Sequence, residues 1–263
     1  MTIYEQWLLH AENIAREAGA LIQKRWRHTH TVRAKGFRDV VTETDLAAER
    51  IILGRLRELF PTHAITSEEA GADQENRQVR WLIDPLDGTT NFSRNNPNFC
   101  ISIAAISDGE PVVGVVYDPL REQLFSARRG GGATLNGESC RTSGLTNLAD
   151  AVFAADWPRD PQLRAEHWQQ VTQLMSSART LRGLGSAALN IVYVASGWFD
   201  LYLARRLSAW DQTAAALIVC AAGGAAGTLS GAPWNPYVLD PVLAATPELL
   251  AEFQRQQPQG LNA

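Results

Sequence analysis

Four short apolar runs follow one another in the middle of the chain: Val79 to Ile83, Cys100 to Ile106, Val112 to Tyr117 and Gln123 to Ala127. They are rich in β-formers and separated by turn dipeptides such as Asp108-Gly109 and Asp118-Pro119. Strands joined in this way pair with their neighbours, so the segment predicts a mostly antiparallel sheet. Before it, Trp7, Ala11, Ile14, Ala18, Leu21, Ile22 and Trp26 recur three or four apart, the single apolar face of a helix over residues 3–26. A polar stretch follows through His28, Thr29, His30 and Lys35 to Asp39. A second helix is expected from near Thr44, carrying Leu46, Ile52, Leu56 and Leu59, with Pro61 after its end. The segment GGGATLNGE (130–138) reads as a glycine turn and another hairpin.

Past residue 145 the pattern changes. Strand candidates (Ala151 to Ala155, Phe199 to Leu203, Ala225 to Leu229, Val242 to Ala245) alternate with helical stretches (161–177, 186–197, 210–222, 247–256). Such alternation indicates an α/β unit. The expected division is therefore residues 1–145, helices plus antiparallel sheet, and residues 146–263, an α/β half.

Charge and composition narrow the function classes. With 24 Lys and Arg against 28 Asp and Glu, the net charge of −4 gives no general basis for nucleic-acid binding, which needs a basic surface to displace counterions. No run reaches the ~18 apolar residues of a membrane span, and the first residues lack the apolar core of a signal peptide. Cys100, Cys140 and Cys220 form no CxxC pair and no even set, which suits free thiols in a reducing cytoplasm.

The run WLIDPLDGTTNF (81–92) carries the chemistry. An apolar strand ends in Asp84 and Asp87, held on a turn by Pro85 and Gly88. Two carboxylates and the Leu86 carbonyl can then face one point, a hard oxygen set that suits Mg²⁺ better than zinc. Thr89, Thr90 and Asn91 look like a helix opening, whose free N–H groups could hold a phosphate. Either dipeptide alone marks an ordinary turn; an apolar strand seldom ends in so many oxygen ligands without an ion. Three further segments gain weight from this one. Glu68 and Glu69 follow a short apolar stretch, Asp45 lies in a capping sequence (Thr42, Glu43, Thr44), and Asp211 begins an alanine-rich helix that ends at Gly223-Gly224. His28 and His30 read as solvated loop, and Arg128-Arg129-Gly130-Gly131-Gly132 as a plain turn, since it lacks the Gly-Lys-Ser/Thr ending of a phosphate loop. No Cys-His pair or Gly-x-Ser-x-Gly run offers a nucleophile.

Together DPLDGTTNF (84–92), SEEAG (67–71), VTETD (41–45), GSAAL (185–189) and Trp210-Asp211 before a small-residue helix resemble the inositol monophosphatase family. That family belongs to the lithium-sensitive, magnesium-dependent sugar-phosphatase superfamily. The resemblance implies a layered α-β-α-β-α sandwich of the mixed α+β and α/β kind, a homodimer, and hydrolysis of a small phosphorylated metabolite with two or three Mg²⁺ ions. It assigns Glu68, Asp84 and the Leu86 carbonyl to one ion, and Asp84, Asp87 and Asp211 to a second. A third would sit near Glu68 through water. Thr89, paired with Asp45, would orient the attacking water. Asp87 and the Gly88 and Thr89 amides would face the phosphate, and Gly185, Ser186 and Ala187 the alcohol. Inositol-preferring members carry a glutamate at the position of Ala204, which cannot accept a hydroxyl hydrogen bond. Arg206 nearby could pair with a second phosphate or a carboxylate, or remain solvated.

Two classes of function follow. One is a Mg²⁺-dependent phosphomonoesterase, with a sugar or nucleotide bisphosphate such as fructose 1,6-bisphosphate as the alternative substrate. The other is a non-catalytic binding or regulatory member. The acids Asp45, Glu68, Asp84, Asp87 and Asp211 favour the first, since clustered carboxylates repel one another unless a metal is held.

Overall fold

The computed structural model describes residues 1–37, 39–73 and 77–256. Residues 257–263 of the expected second half lie outside them. The chain opens with α1 (Ile3–Arg25), a hairpin of β1 (Val32–Gly36) and β2 (Asp39–Thr42), and α2 (Glu43–Leu59). Then come β3 (Ala64–Ser67), β4 (Gly71–Ala72), β5 (Val79–Asp87), the single-turn α3 (Thr89–Ser93), β6 (Cys100–Ser107), β7 (Glu110–Asp118), β8 (Gln123–Arg128), β9 (Ala133–Leu135) and β10 (Glu138–Cys140). The remainder is β11 (Val152–Ala155), α4 (Pro161–Ser177), β12 (Thr180–Arg182), α5 (Ala187–Ala195), β13 (Leu201–Leu203), α6 (Ala209–Ala221), β14 (Ala225–Thr228), β15 (Pro241–Ala244) and α7 (Pro247–Gln256).

Eight strands form the larger sheet in the order β10-β9-β8-β7-β6-β5-β3-β4. All its pairs are antiparallel except β3 with β5. Its central strands β6 and β7 are largely apolar on both faces because both faces are covered. Trp81 and Ile83, Ile101 and Ile103, and Val113 and Val115 point toward α1 and α2, where they meet Ile14, Ile22, Ile52 and Leu56. The intervening Leu82, Ala104 and Val116 point the other way, onto α5 and α6. Gly114 marks how closely α6 lies on that face: a Cβ there would stand 2.5 Å from the Ala214 carbonyl oxygen.

The smaller sheet has the order β12-β11-β13-β15-β14. Tyr202 and Leu243 share the α5–α6 core, while Phe153, Leu201, Val242 and Ala244 face Val171 and Leu174 of α4 and Leu249 and Phe253 of α7. The layers are thus α1/α2, large sheet, α5/α6, small sheet, α4/α7: the α-β-α-β-α sandwich. No helix among the described residues is long and apolar enough to cross a membrane.

Several local expectations need correction. The polar stretch after α1 contains the β1–β2 hairpin, whose first strand is exposed throughout and so shows no hydrophobic period. Strand β12 was likewise not anticipated. Helix–strand alternation gives only part of the second sheet parallel, namely β12–β11 and β11–β13; β13–β15 and β15–β14 are antiparallel. Leu59 is 40% exposed, so the buried face of α2 runs through Ala48, Ile52 and Leu56.

Candidate active site

Strand β5 delivers the first acids. Its pairing with β6 is regular from Val79 to Asp84 and resumes at Asp87, with an irregularity between them. Asp84 Oδ1 accepts the Leu86 N–H at 2.9 Å, which closes the turn from inside. Gly88 ends it at φ 96°, where a Cβ would meet the Asn98 carbonyl at 2.8 Å, so only glycine fits there. The Asn91 amide then donates to the carbonyls of Asn98 and Leu184, each at 2.7 Å, tying α3 to the chain before Gly185.

Two other segments bring acids to the same point. Strand β3 runs parallel to β5 with Ser67 opposite Ile83, so Glu68 emerges beside Asp84. Its N–H donates to the Ile83 carbonyl at 3.1 Å. Asp211 lies in the first turn of α6, where Ser102 Oγ of β6 donates to the Trp210 carbonyl at 2.8 Å and anchors the helix end. One oxygen each from Glu68, Asp84 and Asp211 lies within 4.8 Å of the others. Burial, then the charges of Glu68, Asp87 and Asp211, push the Asp84 carboxyl well above the usual range. Burial, then Asp87 and Glu68, do the same to Asp211. An all-oxygen set under mutual repulsion fits a hard divalent cation, whose charge would relieve it. Lys35, on the exposed hairpin, donates to Glu68 Oε1 at 2.8 Å and reaches Glu69 as well. Burial lifts Glu69 to about 7 even so.

Asp87 stands outside that trio. Its Oδ2 accepts from Ser186 Oγ at 2.6 Å and from the Ala188 N–H at 2.7 Å, at the start of α5. Burial raises it to about 6 against those two bonds. Ser186 is buried behind the cleft wall and orients Asp87, whereas Gly185 and Ala187 line the cleft. The buried Cys100 thiol, also next to Asp87, is pushed well up by burial and stays protonated.

Asp45 has two tasks. Through Oδ2 it accepts the Thr42 N–H at 2.9 Å and completes the capping box of α2. Through Oδ1 it takes the Thr89 hydroxyl at 2.7 Å, and that hydroxyl lies 3.1 Å from the Leu86 carbonyl. Helix capping and a contact into the site therefore coexist.

The cleft lined by Glu68, Asp84, Leu86, Asp87, Thr89 and Asp211 measures about 610 Å³. Its far wall includes Ala204, Arg205 and Arg206 at the end of β13. The exposed Arg206 lies at the rim with φ 61°, its N–H donating to Asp240 Oδ1 at 3.1 Å. Arg205 pairs with Glu166 at 3.4 Å. Asp156, Trp157 and Arg159 also line the wall and were not singled out from the sequence. Asp156 follows an apolar run directly, as Asp84 does, but without a second acid three residues on and the glycine turn that mark Asp84 and Asp87.

Elsewhere, His30 is not solvated. Its side chain is 5% exposed and its ring centroid lies 4.4 Å from that of Phe92, because the segment folds back onto α3. Burial lowers its pKa accordingly. Arg128 ends β8 and pairs with Glu5 at 2.6 Å, and Gly130 turns the chain at φ 71°.

The sequence model of the inositol monophosphatase family matches residues 3–260. A relative from Escherichia coli, named Nus factor SuhB, is 40% identical over 225 residues, 84% of each chain. Two solved structures superpose closely. The extragenic suppressor protein suhB of Bartonella henselae has a TM-score of 0.91 at 31% identity, covering 97% of this chain and 100% of that one. An inositol monophosphatase from Anabaena has a TM-score of 0.88 at 30% identity, covering 97% and 96%. With nearly its whole length matched and its layers reproduced, the chain belongs to the inositol monophosphatase family.

Proposed function

We propose that the protein is a Mg²⁺-dependent phosphomonoesterase acting on small phosphorylated alcohols. The observation that carries this reading is the convergence of Glu68, Asp84 and Asp211 within 4.8 Å from three separate segments. Glu68, Asp84, the Leu86 carbonyl, Asp87 and Asp211 would hold two or three ions. Such ions, when bound, supply hydroxide near neutral pH and balance the charge of the phosphoryl oxygens. On this reading the half 1–145 brings most of the ligands and the half 146–263 brings Asp211 and the alcohol-side wall.

The chain's own groups do the rest. Asp45 takes the Thr89 hydroxyl proton in a hydrogen bond, which turns the threonine's lone pairs outward to orient a water. The Gly88 and Thr89 amides, on the turn that only glycine can make, face the phosphate. Ser186 and the Ala188 amide hold Asp87 in one orientation, so it needs no rearrangement when substrate binds. Gly185, Ala187 and Arg206 border the space left for the alcohol. A cationic Arg206 at the rim extends the range to a bisphosphate, such as a sugar bisphosphate. Lys35 donates to Glu68 Oε1 and so sets a positive charge beside the acids that would hold the ion.

Relatives named Nus factor SuhB favour a second reading, a regulatory role that does not require turnover. Phosphate release discriminates the two. The purified protein, assayed with myo-inositol 1-phosphate, glycerol 2-phosphate, fructose 1,6-bisphosphate and adenosine bisphosphates, is expected to be active with Mg²⁺ and inactive with EDTA. No release from any of them with Mg²⁺ would leave the regulatory reading.

A further inference from the structure

We infer that Asp156 is the hydroxyl-recognising carboxylate of the cleft, the residue that selects a polyol as the alcohol part of the substrate. The inference rests on the phosphomonoesterase reading. Strand β11 runs parallel to β13 with Ala155 opposite Leu203. The next residue on each strand is therefore Asp156 and Ala204, side by side at the end of the sheet, and both line the cleft. Ala204 presents a methyl group; Asp156 presents a carboxylate.

That carboxylate is built in. Its Oδ2 accepts from Asn190 Nδ2 at 2.8 Å and from the Tyr202 hydroxyl at 3.0 Å. Asn190 and Tyr202 are fully buried, so neither donor is supplied by a mobile surface group. Burial raises its pKa above the usual carboxylate value, against the Asn190, Tyr202 and Gly185 hydrogen bonds, which favour the charged form. Among the described residues no lysine, arginine or histidine forms an ion pair with it. Asn190 and Tyr202 both donate to Oδ2 and the Gly185 N–H is a third donor, so of the about four lone-pair sites of an ionised carboxylate at least one remains to accept. An oriented acid at a cavity wall, stabilised by neutral donors rather than by a cation, is suited to accept from a neutral donor. The hydroxyls of a polyol phosphate are such donors.

Position separates this acid from the metal-facing ones. It is not part of the Glu68–Asp84–Asp211 convergence, and its side chain is turned to α5 and β13. The indole of Trp157, next in sequence and also on the wall, packs against His167 and Trp168 and is 40% exposed, which leaves apolar surface for the C–H edges of a ring. The acid and the indole together describe a subsite for a polyhydroxylated ring or chain, distinct from where the phosphate is held.

The test compares a polyol phosphate with a phosphomonoester that has no hydroxyl donor. kcat/KM is measured with Mg²⁺ for myo-inositol 1-phosphate, glycerol 2-phosphate and p-nitrophenyl phosphate, in the wild type, Asp156→Ala, Asp156→Asn and Tyr202→Phe. A hydrogen bond to a charged group implies that Asp156→Ala lowers the ratio of polyol phosphate to p-nitrophenyl phosphate kcat/KM by about 10- to 100-fold. Asp156→Asn, which keeps the shape, lowers it less. Tyr202→Phe, which removes only a positioning bond, lowers it by roughly 3-fold. If Asp156→Ala does not fold, the other two variants carry the test. Ratios unchanged in variants that still turn over both kinds of substrate would overturn the role of Asp156 and leave the phosphatase standing. A wild type inactive toward all three would overturn the phosphatase reading and this inference with it.

Discussion

Asp87 is acidic, buried and already bonded, with Ser186 and the Ala188 amide on one oxygen. Replacing it by asparagine preserves volume and removes one negative charge. Asp87→Asn is expected to lower phosphatase kcat by at least about 100-fold while the far-UV circular dichroism spectrum is unchanged. A linked effect concerns stability without metal. Folding raises the Asp87 pKa from 3.8 to about 6. The folded state therefore holds its proton more tightly than the unfolded one, and that contribution is complete below about pH 4. It is lost as pH rises through 6, because the folded protein must then ionise a buried group. In EDTA, urea unfolding should show the wild type losing on the order of 2–3 kcal/mol relative to Asp87→Asn between pH 4 and pH 7. Parallel pH curves for the two proteins would show that Asp87 is not destabilised by its surroundings.

Elements place these side chains, and their legibility in the sequence followed how strongly each one is buried. The strands around residues 79–127 and the helices α1, α4 and α7 could be read because an apolar period of 2.0 or 3.6 residues records a covered face. The β1–β2 hairpin could not, since an exposed strand has no such record, and with it went the contact of Lys35 with Glu68. Asp84, Asp87 and Gly88 were legible as a turn dense in oxygen ligands. Asp156 was missed because a lone acid after a strand carries meaning only once β13 is seen beside it. The convergence of Asp211 on Asp84 depends on α6 pressing against β7 at Gly114. Gly114→Ala would force a Cβ to within 2.5 Å of the Ala214 carbonyl. This overpacking should cost about 1–3 kcal/mol, lower the melting temperature and raise the Mg²⁺ concentration needed for half-maximal activity. An unchanged melting temperature and Mg²⁺ requirement would mean that α6 has slack the structure does not show.

At the scale of the whole molecule, the site exists only when the large sheet and the α5–α6 layer are assembled together. Glu68 and Asp84 come from strand ends of that sheet, Asp211 from the helix layer beneath it, and the far wall from the small sheet. Metal binding should therefore stabilise the entire fold. At a hundredfold excess of Mg²⁺ over its dissociation constant, unfolding should become about 2.7 kcal/mol less favourable, and Asp211→Asn should lose most of that gain; an equal gain in the variant would place the ion elsewhere. The most direct test is phosphate release from a small phosphorylated alcohol by metal-stripped protein titrated with Mg²⁺. No release before addition and a saturable rise with Mg²⁺, abolished in Asp84→Asn, is the expected result. Release that is independent of metal, or that survives in Asp84→Asn at the wild-type rate, would contradict the account.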